Sequence, residues 1–459
     1  MGNDKEIIKV LIFSHSSGLG GAERSLITLV RDLIQTYNTE ITVVLPDVGP
    51  SVEILQKSGA EVLFAPIHLW CTTGEIPNPN VIINNRNQFF DWLIEHREDL
   101  LALNPDVVIT NTIVIPWGSV AAALLKRPHI WMINEFGELD HGFKFFLPFK
   151  QILKIIEKSS DLIVTRSNAI KDTLFPHLKG DQVKTIYRSI DLPEVVTGTQ
   201  NTPPEHFQIA AACSLALIGT IRESKGQEDA VRAVIELIKH RNRQVELVMV
   251  GQAEEPYRDY LVRLAEENGI EKYIHFLPFQ ENVRSIIDQA DIILVCSRME
   301  AVGRVTLESM LLEKPIIATN TGGTSEMIDE GETGLLYEPG NIHQLADQIE
   351  KLMDNPEFRQ KFAKNGAEFA RTTFTKENYA GEFYTLFQHL TQQHEHTENA
   401  MILSLIDHLV DVNTQLNAQN VMLKAQSQIL EQEVLSYATS KSWRFTRPIR
   451  KLFQRIKKS

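Results

Sequence analysis

Three cysteines in 459 residues, Cys71, Cys213 and Cys296, are too few and too scattered for a disulfide framework or a metal-ligand cluster. A reduced, cytosolic protein is the expectation. No stretch approaches the ~20 apolar residues that span a bilayer, and the opening MGNDKEIIKV has no secretory core. Any membrane contact is therefore expected to be peripheral. The spacing G-x-G-x-x-G is missing too: counted from Gly18 it needs a third glycine at 23, where Glu23 stands. A carboxylate there would face a pyrophosphate, which argues against a dinucleotide. The net charge of −13 argues against general nucleic-acid binding.

What is present is a long alternation of short apolar runs with helical patterns. The first series is KVLIF (9–13), ITVVLP (41–46), EVLFAP (61–66), DVVITN (106–111), HIWMIN (129–134) and DLIVTR (161–166). The second is LALIGT (215–220), VELVMVG (245–251), IHFLPF (274–279), DIILVCS (291–297), KPIIATN (314–320) and GLLYEP (334–339). Runs of Val and Ile without polar alternation are those of parallel strands buried on both faces, and the length exceeds what one core serves. Two doubly wound, Rossmann-like α/β domains are expected, over 1–194 and 205–372, joined by VVTGTQNTPPEHF (195–207). A helix over 373–395 follows. Ile402, Leu409, Leu416, Leu423 and Leu430 then recur every seven residues, a coiled-coil seam within 397–437, although Gln419, Gln426 and Glu433 weaken its other position. The last segment, 441–459, holds eight cations and no carboxylate. A helix begun near Pro448 puts Ile449, Leu452, Phe453 and Ile456 on one face among those cations, the pattern of a helix lying in a membrane interface. GFKFFLPFKQILK (142–154) is a second basic and aromatic stretch.

In open α/β sheets ligands sit at the carboxyl ends of the strands, so the cleft between two such domains is the expected site. Glu300 and Glu308 stand eight positions apart around Gly303, one in the loop after a strand and one inside the next helix. A helix N-terminus suits a diphosphate, and carboxylates beside it accept hydrogen bonds from sugar hydroxyls. Arg222 and Lys225, in the loop after LALIGT, can neutralise charge on a departing diphosphate. Each of these, taken alone, also reads as an ordinary surface charge. HSSGLGGAERSL (15–26) is a strand–glycine–helix turn that either joins two elements or lets a ligand approach the backbone.

Taken together, the order GTIRESKG, VMVG, FLPF, EAVGRVTLE, KPIIATNTGG, TSE and ETGLL resembles the donor-binding half of the family-4 retaining glycosyltransferases of GT-B fold, of the kind that builds bacterial surface polysaccharides. The resemblance covers about residues 7–390. It implies a hexosyltransferase that moves a hexose from a UDP- or GDP-linked sugar to a glycan acceptor, free or lipid-linked, at the cytoplasmic face of the membrane. Glu308 would hold the donor's ribose, Glu300 the transferred sugar and Lys225 the diphosphate. Backbone groups near Gly303, Arg304 and Val305 would assist. Gly20 and Gly21 would approach the donor's phosphates or the acceptor across the cleft. No D-x-D occurs, so no metal or other cofactor is expected. Two departures stand out. Thr220 occupies a position where the family often has arginine, leaving Arg222 as its substitute. Asn134, followed by Glu135, stands where a histidine is usual, with His15 and His141 as candidates for that role. The competing expectation is a catalytically silent scaffold that assembles partners, or copies of itself, through the coiled coil.

Overall fold

Side chains alternate across a strand, so an apolar run must be covered on both faces when every residue in it is apolar. In β1 (Ile8–Ser14) Leu11 and Phe13 enter one hydrophobic core while Val10 and Ile12 enter another on the opposite face. The computed structural model describes residues 7–190, 213–280 and 283–393. The junction 195–207, the heptad segment 397–437 and the basic segment 441–459 lie outside these described residues.

The first sheet is parallel and has seven strands in the order β3-β2-β1-β5-β6-β8-β9. The strands are β1, β2 (Thr39–Leu45), β3 (Glu61–Phe64), β5 (Val107–Asn111), β6 (His129–Ile133), β8 (Leu162–Thr165) and β9 (Val183–Thr185). β4 (Cys71–Thr72) and β7 (Lys144–Phe145) form a separate antiparallel pair. The second sheet, also parallel, runs β12-β11-β10-β13-β14-β15. It comprises β10 (Ser214–Ile218), β11 (Glu246–Val250), β12 (Ile274–Leu277), β13 (Ile292–Val295), β14 (Ile316–Thr319) and β15 (Leu335–Tyr337). In both lobes the strand order reverses beside the first strand, the switch point where doubly wound sheets open a crevice.

Helices cover both faces through stripes of helical period. In Gly21–Thr36 the residues Leu26, Leu29, Val30 and Leu33 are buried, an i, i+3, i+4, i+7 set. Helix Pro356–Thr373 packs on the second lobe through Phe362 and Ala370. The next helix, Lys376–Gln393, returns to the first lobe, where Tyr379, Phe383 and Phe387 join the core made by Val10 and Ile12. Among the described residues no helix is long and apolar enough to cross a membrane.

Two local readings of the sequence are revised. β3 is an outer strand with Phe64 exposed, not a strand buried on both faces. In the stretch 142–154 three of the four aromatics serve the interior: Phe145 is buried, and Phe143 and Phe149 pack half-buried against the same core, which Phe146 does not join.

Candidate active site

A cavity of about 450 Å³ lies between the lobes. Its polar lining follows the carboxyl ends of strands in both sheets: His15 after β1, Asn134 and Glu135 after β6, Arg166 after β8, Lys225 after β10 and Glu300 after β13.

On the second lobe, glycines determine how closely the loops approach. Gly226 has φ +66°, and a Cβ there would lie 2.0 Å from the carbonyl oxygen of Cys296. Only glycine lets the Glu223–Lys225 turn rest on the end of β13, where the Arg298 amide donates to the Ser224 carbonyl at 2.8 Å. Arg298 is held in turn by a two-pronged pair with buried Asp229 at 2.6 and 2.7 Å. The consequence is that Lys225 Nζ stands 3.2 Å from Glu300 Oε1. Burial works to raise the Glu300 carboxyl, but the Lys225 ammonium and a hydrogen bond from Ser297 outweigh it and hold the group below its ordinary range. Glu300 is therefore ionised at neutral pH.

Helix Arg304–Leu311 begins immediately after Gly303. Its N-cap, Gly303, has no side chain to cap the first turn, so the positive dipole end of the helix faces the loop that carries Glu300. Arg304, in that turn, pairs with Glu308 one turn on, and Glu308 is buried. Val305 follows in the same turn. Thr220 is exposed, and its carbonyl accepts from Gln227. Arg222 instead reaches across to the first lobe, with Nη2 3.4 Å from the Asp140 carbonyl oxygen and 3.3 Å from His141 Nδ1.

On the first lobe, Gly20 precedes helix Gly21–Thr36 and Gly21 lines the cavity; a Cβ at Gly21 would meet no atom within 4 Å. Open space rather than a strained turn distinguishes that glycine. Glu23 lies against the glycine loop and pairs with His15 at 3.5 Å. Asn134 differs most from expectation. Its Nδ2 donates to Asn111 Oδ1 at 2.8 Å and its Oδ1 accepts from Arg166 Nε at 2.7 Å, so the amide is engaged within the protein. Glu135 accepts from the Ile113 amide at 2.8 Å. Burial, with a smaller contribution from the Asp140 charge, pushes its carboxyl up to about 8. It can exchange a proton near neutral pH, the property required of a general acid or base.

That shift makes stability depend on pH with a definite sign. Between the ordinary glutamate range and about 8 the folded chain binds a proton that the unfolded chain has released, so stability falls as pH rises. Glu135→Gln keeps an acceptor for Ile113 and removes the titration. The variant is expected to gain thermal stability over the parent at pH 8 and to lose that advantage near pH 5. Parallel melting curves across this range would refute the assignment.

The cavity thus unites Glu300, Lys225, Arg222, Asn134 and Gly21, with Glu308, Gly303, Arg304 and Val305 in the adjoining helix start. Sequence reasoning missed Arg166 and Arg188, both in the cavity wall. For Arg166 the available signal was a charged residue directly after an apolar strand; Arg188, three residues past the short strand Val183–Thr185, gave none.

Residues 214–369 match the family model of glycosyl transferases group 1, and residues 19–194 match that of glycosyltransferase family 4. Alpha-D-kanosaminyltransferase of Streptomyces kanamyceticus is 32% identical over 152 residues, which is 33% of this chain and 39% of that enzyme. An uncharacterized glycosyltransferase of Methanocaldococcus jannaschii is 24% identical over 404 residues, 83% of this chain and 99% of that protein. Among solved structures, HepE of Anabaena in complex with UDP superposes with a TM-score of 0.64 at 19% identity, over 83% of this chain and all (100%) of HepE. The same protein has been solved with UDP-glucose.

Proposed function

The chain belongs to the family-4 glycosyltransferases of GT-B fold, and from that premise we propose that it transfers a hexose from a nucleoside diphosphate sugar to a glycan acceptor with retention of configuration. The observation that carries this reading is the Lys225–Glu300 pair at 3.2 Å, set beside the uncapped start of helix Arg304–Leu311. Lys225, Arg222 and the helix N-terminus take the diphosphate and stabilise the charge that develops as it leaves, without a metal. Glu300 accepts hydrogen bonds from the transferred sugar, and Glu308 from the ribose once Arg304 turns toward the phosphates. The acceptor approaches from the side of Gly20 and Gly21, on the same face as the departing phosphate, which takes the acceptor's proton. A UDP-linked donor is favoured because a structural neighbour holds UDP and UDP-glucose. We place the enzyme at the cytoplasmic membrane face with a lipid-linked acceptor, on the strength of the cationic segment 441–459.

Incubating the full-length protein with a panel of UDP- and GDP-sugars tests the reading. Nucleotide release or transfer with one donor, insensitive to chelator, is expected. A protein that binds nucleotide but turns over no donor with any acceptor would be the silent scaffold instead.

A further inference from the structure

The reaction scheme leaves two cations in the cleft unused. Arg166 and Arg188 follow the carboxyl ends of β8 and β9 and are only 4% and 9% exposed. Arg166 donates through Nε to Asn134, while Nη1 and Nη2 are buried without a hydrogen-bond partner; Arg188 Nε is in the same condition. Neither guanidinium makes an ion pair among the described residues. Of the other cations around the cleft, Lys225 is paired with Glu300 and Arg304 with Glu308, while Arg222, whose Nε is likewise without a partner, donates through Nη2 to the Asp140 carbonyl. Burial, with repulsion from Arg304 and Arg166, outweighs the weaker opposing pull of Glu308, which makes no ion pair with it, and lowers the pKa of Arg188 to about 10.

Buried charge without a partner is unfavourable, and two like charges side by side are more so. A fold that keeps both arginines here lacks an anion that a ligand can supply. Arg166 also stands over the Tyr379 ring, its guanidinium carbon 4.9 Å from the ring centre, and with Nε fixed by Asn134 its two terminal nitrogens form a held fork, the geometry that grips a carboxylate or phosphate. Both residues belong to the first lobe, whereas the cations assigned to the diphosphate belong to the second.

We propose that Arg166 and Arg188 form a second oxyanion subsite, which takes a carboxylate or phosphate group carried by the transferred sugar or by the acceptor, distinct from the donor's diphosphate. This rests on the donor placement given under the proposed function.

Titration calorimetry on the full chain tests it. UDP and GDP first identify the nucleotide. The uronic-acid form of the matching nucleotide sugar, compared with the neutral form, then reads an anion on the sugar. Inorganic phosphate added to nucleotide-saturated protein reads an anion on the acceptor. In one of these arms the wild type is expected to show anion-dependent binding: at least tenfold tighter for the uronic-acid donor, or a measurable phosphate affinity. Arg188→Gln should abolish it while nucleotide affinity changes less than threefold. Arg188→Lys, which keeps the charge but not the fork, should recover part of it. An equal fall in nucleotide affinity would assign the arginines to the diphosphate and overturn the proposal, as would a wild type indifferent to both anions. If neither nucleotide binds, the donor reading fails on its own. Phosphate titration of the nucleotide-free chain against Arg188→Gln then still decides, since equal affinities would overturn the subsite.

Discussion

Lys225→Ala is expected to lower turnover at saturating donor at least a hundredfold without unfolding the protein. The lysine stands 3.2 Å from Glu300 at the point where leaving-group charge builds, and a preorganised contact of that kind contributes roughly 2.7–4 kcal/mol to the transition state. Removing it also frees Glu300, whose carboxylate is then no longer held below its ordinary range by the ammonium. Glu300→Ala should be comparably damaging, for the complementary reason that it removes the sugar's acceptor and lets Lys225 swing. Single-turnover rates with excess donor separate this from a loss of binding, and unchanged melting temperatures confirm an intact fold. Near-wild-type turnover of Lys225→Ala would disprove the phosphate role.

Gly323→Ala is expected to be the most disruptive single substitution near the site. A Cβ at Gly323 would fall 1.6 Å from the Ala301 carbonyl oxygen and 2.8 Å from Ser167 Cβ in the facing lobe, and the Gly323 amide donates to the Glu300 carbonyl at 2.7 Å. The loop cannot stay where it is. Overpacking typically costs about 1–3 kcal/mol, and a clash with backbone on one side and the other lobe on the second falls at or beyond the top of that range. Gly21→Ala is the control: with no atom within 4 Å of its added methyl, it should melt like the parent. Thermal unfolding of the two variants checks the contrast. A Gly323→Ala protein as stable and as active as the parent would mean that the loop has a freedom this packing denies it.

The twelve apolar runs read from the sequence all contain strands, because residues such as Val10, Ile12, Val248 and Val250 are buried on whichever face they point to. Shorter elements escaped. A two-residue ladder such as Cys71–Thr72 with Lys144–Phe145 has no period to detect, and Val183–Thr185 is hardly longer. The E-x7-E spacing located Glu300 and Glu308 because both belong to one loop and helix. Arg166 and Arg188 gave no comparable signal. A lone arginine after a strand reads as surface charge, and its burial depends on Tyr379 and on the opposite lobe, far away in sequence. The engagement of Asn134, which stands where a histidine is usual, was hidden for the same reason, since its partners Asn111 and Arg166 are set by neighbouring strands.

The return of helix Lys376–Gln393 to the first lobe bears on how the chain is made. The hydroxyl groups of Ser25 and Tyr379 meet although 354 positions separate them, and Phe383 and Phe387 close the core around Val10, Ile12 and Leu29. During synthesis the amino-terminal lobe emerges first, yet one wall of its core is still untranslated. The second lobe's strands, from Ser214 to Tyr337, and its covering helix, ending at Thr373, are contiguous and complete before that wall appears. Domains ordinarily fold in the order in which they leave the ribosome. Here the order of completion is reversed: the lobe begun first is finished last, and a nascent chain halted before Lys376 would carry an open apolar face for as long as translation paused.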